Sequence, residues 1–355
     1  MVNNKKKILF FLPPSVGGAE RVTITISRML PIHDYSIEYY IVGKEKGQIE
    51  SFIHDSSLIH HIKISSIWDF TTTKIYCVLK KEKPYAVFCS LVYLNIRVIL
   101  ASHLMGNIKT IVRNDNMIIS YGKLNELLVK YVYRFANIIV LQQEEMKNEF
   151  VNRFGLKDKC IVLHNPLDTI TINKSLNAPS PYDNYKGTKF VYTARFTYNK
   201  GQDILIKAFA ILRRSIPNAH LYLVGKYSDD VFFRNLKQLI NENGLIESVH
   251  LVGYDQNPYR WVKYSDCFVL PSRLEGLPNS LIEAMYIGVP VVATRSIPII
   301  DRIVQEGYNG YVVDSEDFRA LADRMKDALE LKNFSMTYKP ASENDVVKLF
   351  SICRK

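Results

Sequence analysis

Short apolar runs rich in β-branched and aromatic residues recur along the chain, and between most of them the apolar positions fall at helical spacing. The first predicted strand, 7–12, leads through Pro13-Pro14-Ser15-Val16-Gly17-Gly18-Ala19-Glu20-Arg21 into a helical pattern that ends near residue 30. Strand 37–42 follows. Helix 73–83 precedes strand 85–90, a helix near 94–105 precedes strand 108–112, and a helix near 121–135 precedes strand 138–141. After strand 161–164 come Asn165-Pro166-Leu167-Asp168 and a polar stretch through 177–182 that reads as an interdomain linker. A second series has strand 190–193, helix 201–214, strand 221–224, a helix near 231–243, and strands 249–252 and 267–270. It closes with strand 289–293, strand 311–313 and helix 316–330.

Such βαβ series predict an α/β protein with parallel, doubly wound sheets. The chain divides into an N-terminal domain, 1–170, and a C-terminal domain, 187–335, each long enough for its own core. Open parallel sheets bind ligands at the carboxyl ends of their strands, so chemistry is expected in a cleft between the two domains. The last segment, 341–355, reads as a short helix with Val346, Val347, Leu349 and Phe350 apolar.

One strand break stands out. The buried-strand pattern Cys267-Phe268-Val269-Leu270 runs into Pro271-Ser272-Arg273-Leu274-Glu275-Gly276-Leu277-Pro278, and Asn279 or Ser280 is placed to cap the helix that follows. Glu275 falls in the loop and Glu283 about one turn into the helix, so both carboxylates can face the space above the helix N-terminus. That helix end suits phosphate, and the carboxylates suit hydroxyl groups. A sugar nucleotide carries both.

Composition narrows the class. The 355 residues are 47% hydrophobic and 23% charged, as in soluble globular proteins. No run approaches the roughly 18 to 20 apolar residues of a membrane span. Lys5-Lys6-Lys7 and the apolar run after it imitate a signal peptide, but the run stops at Pro13-Pro14 without a small-residue cleavage site, and it is read as the first strand. Cys77, Cys89, Cys160, Cys267 and Cys353 are widely spaced and odd in number, which implies neither a disulfide framework nor a zinc site and makes a reducing, cytoplasmic compartment the default. The net charge of +11 lies mainly in the first half and suits an anionic substrate or an anionic membrane face. Nucleic acid is not expected, for want of a binding module or a basic run with interleaved aromatics. His54, His60 and His61 lack metal-ligand spacing and read as structural.

Two further loops carry chemistry. Gly17-Gly18 would admit a ligand to the backbone beside a helix N-terminus, although a structural turn accounts for it equally well. Arg195 and Lys200 flank the loop Ala194-Arg195-Phe196-Thr197-Tyr198-Asn199-Lys200-Gly201 and would stabilise a departing diphosphate; by themselves they also fit a pair of solvated charges.

The spacing Glu275-x7-Glu283 within Ser-Arg-x-Glu-Gly-x-Pro-x-x-x-x-Glu-Ala, with the Gly-Gly-Ala-Glu-Arg loop, Asn165-Pro166, Arg195 and Lys200-Gly201, resembles the retaining glycosyltransferase family 4 of GT-B fold. The resemblance runs from about residue 7 to 330. It implies two Rossmann-like domains facing across a cleft, an acceptor-binding N-terminal domain, a C-terminal domain that binds a nucleotide-diphosphate sugar, and a last helix that returns to the first domain. It further implies retention of configuration, no cofactor and no metal. Carried over by position, Arg195 and Lys200 would grip the diphosphate, Glu275 would contact sugar hydroxyls and Glu283 the ribose. The amides of Gly276, Leu277, Pro278-flanking residues, Asn279 and Ser280 would approach the sugar and phosphates, and Gly17 and Gly18 the reacting centre. Independently, no Asp-x-Asp pair occurs in the chain, so the metal-diphosphate clamp of the other glycosyltransferase fold is missing.

The sequence also departs from the family. Where many relatives have a histidine, Ile111-Val112-Arg113-Asn114-Asp115-Asn116 stands; Glu20, Arg113 and Asp115 are acceptor-side candidates, no general base is assigned, and for Arg113 and Asp115 loop packing is the reading preferred to a place in the cleft. Ser296-Ile297-Pro298-Ile299-Ile300-Asp301 replaces a glycine-rich turn, so the identity of the donor is not carried over, although a UDP-sugar is favoured. Helix 121–135 carries Lys123, Lys130 and Arg134 beside apolar and aromatic residues, which suits either an anionic membrane surface or packing on the sheet.

The expectation is a cytoplasmic, peripherally membrane-associated glycosyltransferase building a lipopolysaccharide, capsule or lipid-linked oligosaccharide. A catalytically silent GT-B protein that binds nucleotide sugar or glycan is the alternative. A glycoside hydrolase, the other use of two carboxylates, has no need of a diphosphate clamp.

Overall fold

The computed structural model describes residues 5–43, 47–53, 55, 58–64, 71–115, 122–182, 185–227 and 230–352. The chain forms two compact units, Met1–Leu167 with Pro340–Lys355, and Asp168–Lys339.

Unit 1 begins with β1 (Lys6–Leu12), α1 (Gly18–Arg28), β2 (Tyr35–Gly43), β3 (Ile59–Lys63) and α2 (Thr71–Glu82). It continues with β4 (Ala86–Ser90), α3 (Val92–Met105), β5 (Lys109–Arg113), α4 (Lys123–Val132), β6 (Ile138–Leu141), α5 (Glu144–Phe154) and β7 (Cys160–Val162). Its strands pair in parallel in the order β3-β2-β1-β4-β5-β6-β7. The central strands are apolar on both faces, as a sheet covered by helices on each side requires: Ile8, Phe10 and Leu12 enter one core cluster, Leu9 and Phe11 the other.

Unit 2 contains α6 (Thr169–Ser175), β8 (Lys189–Thr193), α7 (Gln202–Leu212), β9 (His220–Val224), α8 (Asp230–Glu242), β10 (Val249–Gly253) and α9 (Pro258–Lys263). It ends with β11 (Cys267–Leu270), α10 (Asn279–Ile287), β12 (Val291–Thr294), α11 (Ile300–Ile303), β13 (Gly310–Val313) and α12 (Phe318–Asp327). Its strands are parallel in the order β10-β9-β8-β11-β12-β13. Both units are thus doubly wound and Rossmann-like, with the strand order reversing between β1 and β4 and between β8 and β11.

The final helix, α13 (Glu343–Ser351), belongs to unit 1. Ser342 and Asp345 close a capping box at its start, and Phe350 sits among Phe10, Phe88 and Tyr35 in the unit's core.

Several elements differ from the sequence expectation. The stretch read as a linker contains α6, whose N-terminus is capped by Asp168 accepting from the Thr171 amide at 3.0 Å. Strands and helices at β3, α5, α9 and α11 were not anticipated, and the strand expected at 161–164 is Cys160–Val162. β3 is an edge strand bearing His60 and His61, which explains its weak apolar pattern; His60 stacks on Tyr40. His54, Asn116 and Cys353, named above, and the first residue of the helix expected at 121–135 lie outside the described residues.

At the amino end of the unit 2 sheet, His220 on β9 and His250 on β10 hydrogen-bond ring to ring (Nδ1 to Nε2, 2.8 Å) with their planes stacked. Burial holds both below the usual histidine range, and the neighbouring His250 and Arg213 add to the effect on His220. In the unfolded chain these rings take protons near the ordinary value of 6.5, before the folded pair does. Their contribution to stability is therefore complete above 6.5 and is lost as pH falls through it toward the lowered folded values. Urea denaturation of the parent and of His250→Gln at a series of pH values between about 7.5 and 5.5 checks this; the substitution is expected to flatten the pH dependence of the midpoint.

Candidate active site

The loops after β8 and β11 leave adjacent strands at the point where the unit 2 strand order reverses. They meet because of Gly201. This residue has φ +66°, and a Cβ on it would lie 2.0 Å from the Pro271 carbonyl oxygen. The backbone of the first loop therefore lies directly against that of the second, with Asn199 O accepting from the Arg273 amide at 2.8 Å.

This contact brings Lys200 and Glu275 together. The Lys200 ammonium donates to both oxygens of the Glu275 carboxylate, at 2.7 and 2.8 Å. Glu275 is buried, and Ser272 Oγ donates to its Oε1 at 2.7 Å. With its proton so used, Ser272 Oγ accepts from Tyr192 OH at 3.0 Å. Burial raises the Tyr192 phenol well above its usual range, with the Glu275 charge adding to the effect, and keeps it a donor. The Ser272 backbone carbonyl accepts from Thr294 at the end of β12. A chain of hydrogen bonds thus runs from inside the sheet to a carboxylate and an ammonium at its edge.

Arg195 stands in the same loop as Lys200. Its side chain is exposed and makes no ion pair among the described residues, while its carbonyl accepts from Gln202 Nε2 at 2.8 Å. Arg273 is the cation that received no role from the sequence; it pairs with Asp203 at the start of α7 and with Glu316.

Glu283 lies one turn into α10 and has a different partner from Glu275, accepting from Tyr259 OH of α9 at 3.3 Å. The cap also differs from expectation. Pro278 holds the N-cap position and offers no side-chain hydrogen bond, so Asn279 and Ser280 are the first helical residues. The Asn279 amide donates to Leu277 O at 2.9 Å, which already satisfies one of the amides expected to face a ligand. Leu277 is buried, and Gly276 stays half-buried beside Glu275.

In unit 1 the acceptor-side candidates collect at the carboxyl edge of the other sheet. Gly17 is the N-cap of α1 and Gly18 its first residue. The Glu20 carboxylate folds back toward Gly17: a Cβ on Gly17 would lie 2.7 Å from Glu20 Oε2. A side chain at 17 would therefore displace the end of the Glu20 side chain, which is itself buried. Arg113 proves to be fully buried, donating to Ser90 Oγ at 3.2 Å and to Asn165 Oδ1 at 2.6 Å. It ties β4, β5 and the segment after β7 together, a holding role. Asp115 is partly exposed; burial raises its carboxyl above the usual range, against the pull of the Arg113 charge. Nearby, burial chiefly pushes the Tyr93 phenol up to about 12, with the Cys89 and Glu20 charges adding to it. Among the described residues no group of three or more His, Cys, Asp and Glu side chains is placed to hold a metal ion.

Residues 179–345 match the sequence model of the family described as glycosyl transferases group 1. The chain is 36% identical over 179 residues to an uncharacterized glycosyltransferase of Methanocaldococcus jannaschii, a match covering 49% of this chain and 43% of that one. Over nearly its whole length it is 26% identical to the N-acetylgalactosamine-N,N'-diacetylbacillosaminyl-diphospho-undecaprenol 4-alpha-N-acetylgalactosaminyltransferase of Campylobacter jejuni, covering 93% of this chain and 92% of the relative. Among solved structures, an Anabaena protein in complex with UDP-glucose superposes with a TM-score of 0.77 at 20% identity, covering 92% of this chain and 90% of that one. The two Rossmann-like units are those of the GT-B fold, and the group 1 domain occupies the unit that carries Lys200 and Glu275. The chain is a glycosyltransferase, an enzyme of the hexosyltransferase type.

Ser272→Ala is expected to leave the buried Glu275 carboxylate one donor short and to destabilise unit 2 by about 1–3 kcal/mol. Chemical denaturation followed by intrinsic fluorescence measures the loss.

Proposed function

We propose that this chain is a retaining, metal-independent glycosyltransferase that moves a hexose from a nucleotide-diphosphate sugar, a UDP-sugar by preference, to a lipid-linked or growing cell-surface glycan such as a lipopolysaccharide or capsule precursor. The observation that carries the reading is the grouping of Lys200, Glu275 and the uncovered Arg195 at the reversal point of the unit 2 sheet. Two cations there offset the charge of a departing diphosphate, and an ionised carboxylate accepts from sugar hydroxyls. In this reading these side chains stand in the place of a metal at the leaving group. Glu283 takes the ribose hydroxyls. The Anabaena neighbour's bound UDP-glucose supports a uridine donor, and the Campylobacter relative's name supports an undecaprenyl-linked acceptor. Retention of configuration rests on the resemblance to family 4. On the acceptor side, Glu20 and Asp115 remain as polar groups for the incoming glycan, with Arg113 holding the frame behind them.

The enzyme works at an anionic membrane face from the cytoplasmic side. No helix among the described residues is long and apolar enough to cross a membrane. Helix α4 supports surface binding because it carries two apolar sides. Val129 and Val132 are buried in unit 1, while Leu124, Leu127 and Tyr131 stay exposed, with Lys123, Lys130 and the adjoining Arg134 beside them.

Transfer from UDP-, GDP- and ADP-sugars to an undecaprenyl-diphosphate-linked acceptor, followed by nucleoside diphosphate release with and without EDTA, tests the reading. Acceptor-dependent release insensitive to EDTA, with an anomerically retained product, is the expected result. Binding of a nucleotide sugar without turnover across the panel would instead favour a silent sensor. Lys200→Ala and Arg195→Ala are each expected to lower turnover about a hundred- to a thousandfold at saturating donor. Sedimentation with anionic liposomes, weakening as salt rises, checks the membrane face.

A further inference from the structure

Arg273 precedes Glu275 by two residues, and its contacts converge on the two residues that precede Lys200. Its amide donates to Asn199 O at 2.8 Å, its Nη1 donates to Tyr198 O at 2.7 Å, and its guanidinium lies 3.9 Å above the Tyr198 ring. The same guanidinium grips Asp203 with two parallel bonds, Nη1 to Oδ1 at 2.8 Å and Nη2 to Oδ2 at 2.7 Å. Its Nε donates to the Glu316 carboxylate in the turn before α12. The side chain is only 12% exposed. One planar cation therefore joins the loop after β8, the start of α7 and the turn before α12 to the loop that bears Glu275.

We propose that Arg273 is a positioning residue for sugar transfer, clamping the Lys200 loop to the Glu275 loop so that ammonium and carboxylate stand in register for the donor. This inference rests on the reading of that site as the donor site. Arg273 itself does not touch the donor. The clamp needs arginine: a lysine would keep the charge but could neither bond Asp203 in parallel nor lie flat on Tyr198. A reacting group misplaced by about 1 Å costs on the order of a hundredfold in rate, so loosening this clamp acts on turnover more than on binding.

The test compares the full chain with Arg273→Lys and Asp203→Asn, by amide hydrogen exchange, thermal melting and donor kinetics. For Arg273→Lys the expected result is a melting temperature close to the parent's, exchange across 197–201 faster by about tenfold or more, and kcat lower by about tenfold or more, with donor KM changed less than about threefold. On a Lys200→Ala background the same substitution is expected to add no further loss, because the clamp acts through Lys200. Unchanged exchange with turnover within about twofold of the parent would overturn the proposal, as would a loss that multiplies in full onto that of Lys200→Ala. Should Arg273→Lys fail to fold, Asp203→Asn removes one arm and is expected to give the same pattern at smaller amplitude; its absence there overturns the clamp. A parent that transfers no sugar from any donor in the panel defeats the donor-site reading, and with it the catalytic part of this inference, whereas the exchange measurement still decides whether Arg273 holds the two loops.

Discussion

A carboxylate buried at the edge of a parallel sheet has to be met by donors, and much of unit 2 around Glu275 is arranged to meet it. The ammonium of Lys200 and the hydroxyl of Ser272 supply the bonds, and Tyr192 and Thr294 fix Ser272 in turn. Ser272 comes from Glu275's own loop, but Lys200 reaches the carboxylate only because the loops after β8 and β11 touch. That contact depends on a glycine in the left-handed region at 201 and on adjacent strands whose crossovers turn away in opposite directions. The constraint is therefore topological first and electrostatic second: the reversal of strand order opens the place, and the buried charge dictates who stands in it.

Much of this was legible in the chain because it is periodic or local. Apolar runs alternating with helical patterns gave two doubly wound sheets, and the proline and glycine breaks after Leu270 located the loop that holds Glu275. What escaped was either half-exposed or long-range. β3 is an edge strand, and His60 and His61 dilute its apolar pattern. The helix α6 was hidden in a polar stretch, although Asp168 followed by Thr-Ile-Thr is a capping signal. Tyr192 reads in the sequence as one more apolar strand residue, since nothing local shows that its hydroxyl points at Ser272. Arg273 lay inside the quoted motif without a role, because its partners Asp203 and Glu316 are far away in sequence.

Unit 1 bears on alternatives that the sequence left open. The sequence leaves Arg113 as either a cation in the cleft or a packing residue, and it packs: it is the most deeply enclosed charge among the acceptor-side candidates and is committed to Ser90 and Asn165. Burying a guanidinium is costly unless its donors are satisfied, so such a residue fixes structure before it can serve chemistry. Asn165, noted only as part of an Asn-Pro pair, gains its meaning from the same bond. Gly17 is similar: the Glu20 carboxylate of the helix that it caps lies against it. Of the two acidic candidates on this edge, Glu20 is buried and Asp115 is partly exposed.

The two cations of the unit 2 loop are not equivalent, and the difference bears on how a donor would enter. Arg195 is uncommitted among the described residues, whereas Lys200 is held by Glu275 with both carboxylate oxygens. A diphosphate can approach Arg195 without breaking any ion pair. Lys200 can turn to it only if Glu275 receives another donor, since a buried carboxylate left with Ser272 alone is strongly disfavoured. In the proposed function the donor brings that replacement itself: a sugar hydroxyl donates to Glu275 as the ammonium turns to the phosphates. A nucleoside diphosphate without its sugar lacks the replacement and would leave Lys200 where it is. Under that reading the exchange of partners would favour the intact nucleotide sugar over the spent nucleotide, using only the pairing that the buried charge requires.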